Sequence, residues 1–151
     1  MRKSVACLCC IVLLACTVSS ACAQTVPCPE ARVTLTVPDS WTPVPRTDQD
    51  DPDLCLLLEG KDLTLYVYVS DAGGFLPDAF QVFTGDETES SVVTLSGMEM
   101  TCVAGRSAEG DYRIYTWEDR RNQVQMYFLI ISRPDASRKA IDDIMNSIVF
   151  E

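Results

Sequence analysis

The sequence predicts an α+β fold: an antiparallel β-sheet with a C-terminal helix packed on it. Three features predict it. Apolar residues alternate with polar ones at period two through most of the chain. Near the C-terminus Ala140, Ile141, Ile144, Met145 and Ile148 recur instead at helical spacing. Between them, the run Gln123 to Ser132 carries Val124, Met126, Phe128 and Ile130 on one face and Tyr127, Leu129 and Ile131 on the other. A strand apolar on both faces is covered on both sides, so it belongs at the centre of the sheet with a helix on at least one face.

Taken in order, the chain opens Met1-Arg2-Lys3 and runs apolar from Val5 to Val18. A charged start, a short apolar stretch and small residues after it make an export leader. Fourteen residues fall short of the roughly 20 that span a bilayer. Ala21-Cys22-Ala23 offers a signal-peptidase site, leaving Gln24 first; Leu13-Leu14-Ala15-Cys16 and Ser19-Ser20-Ala21-Cys22 offer lipidation at Cys16 or Cys22. The expected division is a leader over 1–23, a short tail over 24–31 around Pro27 and Pro29, and one domain over 32–151.

Val33, Leu35 and Val37 mark the first strand. Pro38 to Pro45 ends it, with Trp41 as an anchor at the turn, and 46–53 form an acidic loop. Leu54 to Leu58 and Leu63 to Ser70 make a hairpin across Glu59-Gly60-Lys61-Asp62. Residues 71–90 are the longest connection, with a short helix beginning near Pro77 and carrying Phe80 and Phe83. A meander follows: Ser91 to Leu95, Met98 to Ala104, Asp111 to Glu118 and Gln123 to Ser132, with Gly97 in its first turn. Ser132 or Asp135 is the expected cap of the C-terminal helix, with Pro134 in its first turn. Ile148-Val149-Phe150 closes the chain as a short strand.

Two stretches resemble Mog1/PsbP-like proteins. Val33 to Trp41 is similar to their opening strand and Pro-acidic-Gly-Trp turn, with Ser40 standing where Gly is usual. Phe128 to Phe150 resembles their closing strand, helix and Ile-rich end, here Ile141, Ile144, Ser147, Ile148 and Phe150. The resemblance implies an α/β/α sandwich. It transfers no functional residue, because the family shares a fold rather than an active site.

Composition excludes several chemistries. Once the leader is removed, 10 basic residues face 22 acidic ones, a net charge near −12. That field repels nucleic acid and anionic lipid, so the membrane enters only through a lipid anchor. The chain has no histidine, which removes Ser-His-Asp and Cys-His nucleophile systems and the commonest transition-metal ligand. No phosphate-binding glycine loop occurs, and no cofactor is expected. Glu99 and Glu118 are the strand acids a carboxylate enzyme would need, and both alternate toward polar faces.

Three groups remain as sites. Asp48, Asp50, Asp51 and Asp53 are the densest carboxylates, oxygen ligands of the kind Ca²⁺ takes, without the glycine and bidentate Glu of a calcium loop. Tyr66, Tyr68, Tyr115 and Trp117 are placed by periodicity on one face opposite the helix, where flat aromatics would grip a sugar or peptide. Cys28, Cys55 and Cys102 follow the leader, and in an oxidising compartment one bridge among them is expected, with spacing leaving all three pairings open. The combined expectation is an exported, non-catalytic accessory module that binds a protein or envelope component. The alternatives are a carboxylate-dependent, sugar-processing envelope enzyme and a small-ligand or cation binder. Intact mass of protein recovered from its own cell envelope tests the leader: it should lack at least residues 1–15, begin at Gln24 or carry acyl chains on Cys16 or Cys22. Retention of Met1 would refute the leader.

Overall fold

The computed structural model describes residues 22–71, 80, 88–134 and 136–151. The leader up to residue 21, with Cys16, the helix expected near Pro77 apart from Phe80, and the Asp135 cap lie outside them.

Among the described residues, ten strands and one helix form in the order β1 (Ala23–Cys28), β2 (Val33–Pro38), β3 (Thr42–Pro43), β4 (Leu54–Glu59), β5 (Leu63–Asp71), β6 (Glu89–Leu95), β7 (Met98–Arg106), β8 (Asp111–Asp119), β9 (Val124–Ser132), α1 (Arg138–Asn146) and β10 (Val149–Phe150). They make a seven-stranded sheet, order β3-β4-β5-β9-β8-β7-β6, and a three-stranded sheet, order β1-β2-β10. Every pairing is antiparallel.

Strand β9 occupies the middle of the larger sheet, between β5 and β8, as its two apolar faces require. Met126, Phe128 and Ile130 point into one cluster with Leu63, Leu65 and Val67 of β5, the small sheet's Val33, Leu35 and Val37, and Ile141, Ile144 and Met145 of α1. Tyr127 and Leu129 point into a second cluster with Tyr68, Phe80, Tyr112 and Ile114. The layer over the first face therefore mixes strands with the helix.

Residues 24–31 are not a tail. Ala23–Cys28 pairs along the whole of β2, from Ala23 opposite Pro38 to Cys28 opposite Val33, and Val26 and Cys28 are buried. Pro27 disguised the strand, but β1 is at the edge of its sheet, where a missing N–H is tolerated. Arg32, at φ +49°, turns the chain into β2.

The helix also starts later than Ser132. That residue ends β9: it pairs with both Leu63 and Asp111, and its hydroxyl donates to the Asp111 carbonyl at 3.1 Å. With its backbone committed to the sheet it cannot cap. Ser137 takes the N-cap position instead, in extended conformation and without a side-chain cap bond. At the other end the helix is well held. The Ser96 hydroxyl approaches the Met145 carbonyl at 3.2 Å and the Asn146 carbonyl at 2.9 Å, acceptors that a helix end leaves unpaired. Ser96 and Gly97, at φ +51° and +75°, form the two-residue turn of the β6–β7 hairpin, the geometry that the twist of paired strands favours. The Thr36 backbone N–H donates to the Ser147 hydroxyl at 3.0 Å, fastening the helix exit to β2.

Trp41 is buried in the first cluster, and Gly60 faces it so closely that a Cβ there would lie 2.5 Å from the indole. The glycine in the β4–β5 turn therefore makes room for the anchor.

Ile144 is 4% exposed in this cluster. Replacing it with alanine should cost about 2–5 kcal/mol in urea unfolding, the usual range for a buried large-to-small change. Unchanged stability would show that α1 is not docked.

Candidate binding groove

Strand register decides where the aromatic candidates go. Tyr68 lies opposite Tyr127, which lies opposite Thr116; Val67 lies opposite Phe128, which lies opposite Tyr115. Tyr66 and Tyr68 therefore share the second cluster's face, while Tyr115 and Trp117 belong to the first. The expected single aromatic face does not exist. Tyr112, Ile114, Tyr115 and Trp117 make β8 apolar on both sides, so alternation alone left its parity unset.

Most of these rings are packing elements. Tyr68 meets Phe80 edge-on with centroids 5.0 Å apart, and Phe80 meets Tyr127 at 5.4 Å. Trp117 packs on Phe150 at 4.5 Å, joining β8 to the small sheet. Tyr66 lies beside Tyr68, 6.4 Å away, and is half-buried. Burial raises the phenol pKa of all five tyrosines, pushing Tyr68 and Tyr115 up to about 12.

The acidic loop is organised around its own backbone. The Asp50 carboxylate accepts the Thr47 N–H, and the Asp51 carboxylate accepts the Asp53 N–H at 2.9 Å. Asp48 and Asp50 are exposed. Burial, followed by the charges of Asp51 and Asp71, raises the Asp53 carboxyl above its usual range. Among the described residues no three acidic or cysteine side chains gather as a metal-binding group.

Of the cysteines, Cys22 is exposed at the start of the described chain. Cys28 is buried in the first cluster and Cys55 packs against that cluster, with the Cys55 thiol donating to the Asp53 carbonyl at 3.5 Å. Each thiol is the leading influence on the other, lowering the Cys28 pKa and raising that of Cys55. Cys102 sits apart, bonded to the Arg113 and Tyr115 side chains, with its thiol pKa raised chiefly by burial.

Among the described residues, an apolar-walled groove of about 310 Å³ lies where β2, the Trp41 turn and α1 meet. Val37, Pro38, Trp41, Leu63, Ala140 and Ile144 give it apolar walls, and Asp143, ion-paired with Lys139, also lines it. A second cleft of about 270 Å³ shares Trp41, Leu63 and Ala140, and adds Lys61 and Asp62. Ala140 and Ile144 of α1 and its C-cap Ser147 follow one another at four- and three-residue steps and line one side. The small Ala140 leaves the space that a larger residue would fill. Sequence reading singled out Trp41 and the helix stripe but not the groove. The available signal was Ala140, the smallest member of an otherwise bulky stripe.

Glu99 and Glu118 line a different cleft, of about 270 Å³, with Arg120 and Gln125. Both acids are exposed, and Arg120 bonds the Glu118 carboxylate at 3.4 Å.

No protein-family model matches the chain, and no curated protein matches it by sequence. Solved structures do match. The solution structure of cyanobacterial PsbP (CyanoP) from Synechocystis sp. PCC 6803 superimposes with a TM-score of 0.61. The match covers 89% of this chain and 96% of that one, at 14% identity. The fold is PsbP-like. A crystal structure from Bacteroides thetaiotaomicron VPI-5482 matches with a TM-score of 0.48 at 9% identity, over 80% of this chain and 45% of that one; a likeness at that level carries nothing further. With the PsbP-like fold placed by structure, the Val33-to-Trp41 and Phe128-to-Phe150 resemblances fall on β2 with its turn and on β9, α1 and β10. These are the elements that build the groove and the core beneath it.

Tyrosine burial has a measurable consequence. An unfolded tyrosine ionises near pH 10, whereas Tyr68 and Tyr115 keep their protons to about 12 in the folded chain. Between those values the unfolded state binds fewer protons than the native one, so stability falls as pH rises from about 10 toward about 12. Absorbance titration should show tyrosinate appearing well above pH 10 and together with unfolding. Two or more phenols titrating near pH 10 in the folded protein would contradict the packing described.

Proposed function

We propose that this protein is an exported, non-catalytic accessory module that binds a basic, apolar segment of a cell-envelope protein in the groove between β2, Trp41 and α1. The groove is the observation that carries the reading. It has apolar walls for side chains to enter, on a chain whose mature part has 22 acidic residues against 10 basic ones. An apolar anchor seated in a pocket, drawn in by the opposite charge of the surrounding protein, is how protein segments are commonly recognised.

The PsbP-like fold supports a module of this type rather than identifying its partner. Export is supported by the leader pattern, and no described helix is long and apolar enough to cross a membrane. The full α/β/α sandwich belongs to the same reading. Phe80, buried against Tyr68 and Tyr127, supports a cover over the second face.

A non-catalytic role is supported by the surroundings of the strand carboxylates. A carboxylate tuned for acid–base work is ordinarily buried beside apolar groups, whereas Glu99 and Glu118 are exposed. The module should show no turnover on glycoside, ester or peptide panels. Activity lost in Glu99→Gln or Glu118→Gln, with the fold retained, would overturn this part of the reading.

The binding claim is tested by Ala140→Arg, which fills the groove from a half-exposed helix position. Tagged mature protein should capture a partner from its own envelope, and the variant should bind that partner about 10-fold or more weakly. Circular dichroism should remain unchanged. Equal capture by Ala140→Arg would move the interface elsewhere.

A further inference from the structure

The cysteines left open by their spacing are distinguished by the topology. Cys55 lies on β4 and Cys102 on β7, with β5, β9 and β8 between them. At the spacing of paired strands, the four steps from β4 to β7 separate them by about 19 Å, far beyond the roughly 7 Å that a disulfide spans between Cα atoms. Cys28, in contrast, is buried in the same cluster that Cys55 packs against, close enough for each thiol to perturb the other.

A local irregularity creates that proximity. The β4–β5 pairing slips between Leu54 and Leu56, leaving Cys55 as the extra residue. Leu54 falls in the second core cluster, while both Cys55 and Leu56 pack against the first, where Cys28 is buried. Regular alternation would turn Cys55 away from Leu56. The bulge turns it toward the small sheet, as extra residues in strands commonly re-aim a side chain.

We propose that Cys28 and Cys55 form a disulfide that ties the three-stranded sheet to the seven-stranded one, with Cys102 remaining a buried thiol. The oxidant is a disulfide, carried by a protein or by glutathione. Half-buried Cys55 is the more accessible of the two. Its thiol loses its proton as the sulfur attacks the oxidant, forming a mixed disulfide and releasing one oxidant thiol. The Cys28 thiolate, which accepts the Ala31 backbone N–H, then attacks the Cys55 sulfur. It closes the bridge and expels the second oxidant thiolate. Two protein thiols are oxidised, one oxidant disulfide is reduced to two thiols, and their two protons pass to the products and solvent. The oxidising compartment rests on the export reading above; the pairing does not.

The test equilibrates the purified full chain with reduced and oxidised glutathione, natively and in urea. Acid quenching, alkylation and tandem mass spectrometry then locate the bridge. Cys28 should be cross-linked to the peptide Thr47 to Lys61. The equilibrium constant for that bridge should be about 10²–10³-fold higher in the native chain than in urea, as closing a loop of this length implies. Cys102→Ser should leave the native constant unchanged, and Cys28→Ser or Cys55→Ser should abolish the cross-link. A native bridge to Cys102, or no native preference over urea, would overturn the proposal. Thiols trapped by alkylation inside the producing cell separate the two readings. A Cys28–Cys55 bridge there supports both, while a pair that oxidises in glutathione but is reduced in the cell counts against export and for the pairing.

Discussion

Burying β9 on both faces is the constraint on which the rest of the structure depends. Phe128 and Ile130 require one apolar cover, and Tyr127 and Leu129 another. Flanking strands satisfy the backbone but cannot shield the faces. The chain meets the first demand by folding its two ends over one side of the larger sheet: β1 and β2 from the N-terminal end, α1 and β10 from the other. The helix alone, nine residues long, could not cover a sheet of seven strands. Three short strands complete the layer, and their side chains interlock with those of α1 around Leu35, Ile144 and Met145.

This arrangement explains why the groove lies where it does. It forms at the seam between helix and small sheet, where two elements of different geometry meet over a common floor. Perfect closure would require the helix side chains to match the pleat of β2. Ala140 falls short of filling the gap, and Trp41, wedged beside Gly60, builds the end wall. The groove is thus a by-product of core construction, positioned by residues whose first role is packing.

How far the sequence could be read follows from the same physics. The central place of β9, the meander and the apolar stripe of α1 were legible because each has an unambiguous period and a sharp boundary. β1 was obscured by Pro27, whose restriction matters only if both strand edges are paired. The face of Tyr115 and Trp117 was obscured because β8 is apolar on both sides, so cross-strand register, a long-range property, had to decide it. Ser132 resembles a cap in isolation but is held by β9's neighbours. The groove could not be read because it belongs to no single element: Val37, Leu63 and Ala140 come together only through the tertiary fold. The meeting of Cys28 with Cys55 depends on one extra residue in β4, a departure from the alternation by which strands are recognised.

The small sheet also has a temporal consequence. Its middle strand, β2, pairs on one side with β1 and on the other with β10, and the Thr34 hydroxyl reaches the Glu151 carboxylate across 117 residues of chain. A ribosome that has produced β1 and β2 has produced a hairpin with an unfilled edge and half of its apolar cover missing. Completion must wait for Val149 and Phe150, by which time every strand of the larger sheet has emerged. Contacts this distant in sequence are slow to form because a long loop must be ordered before they contribute. The domain therefore stays open until late in its synthesis, with β2 waiting for its second partner.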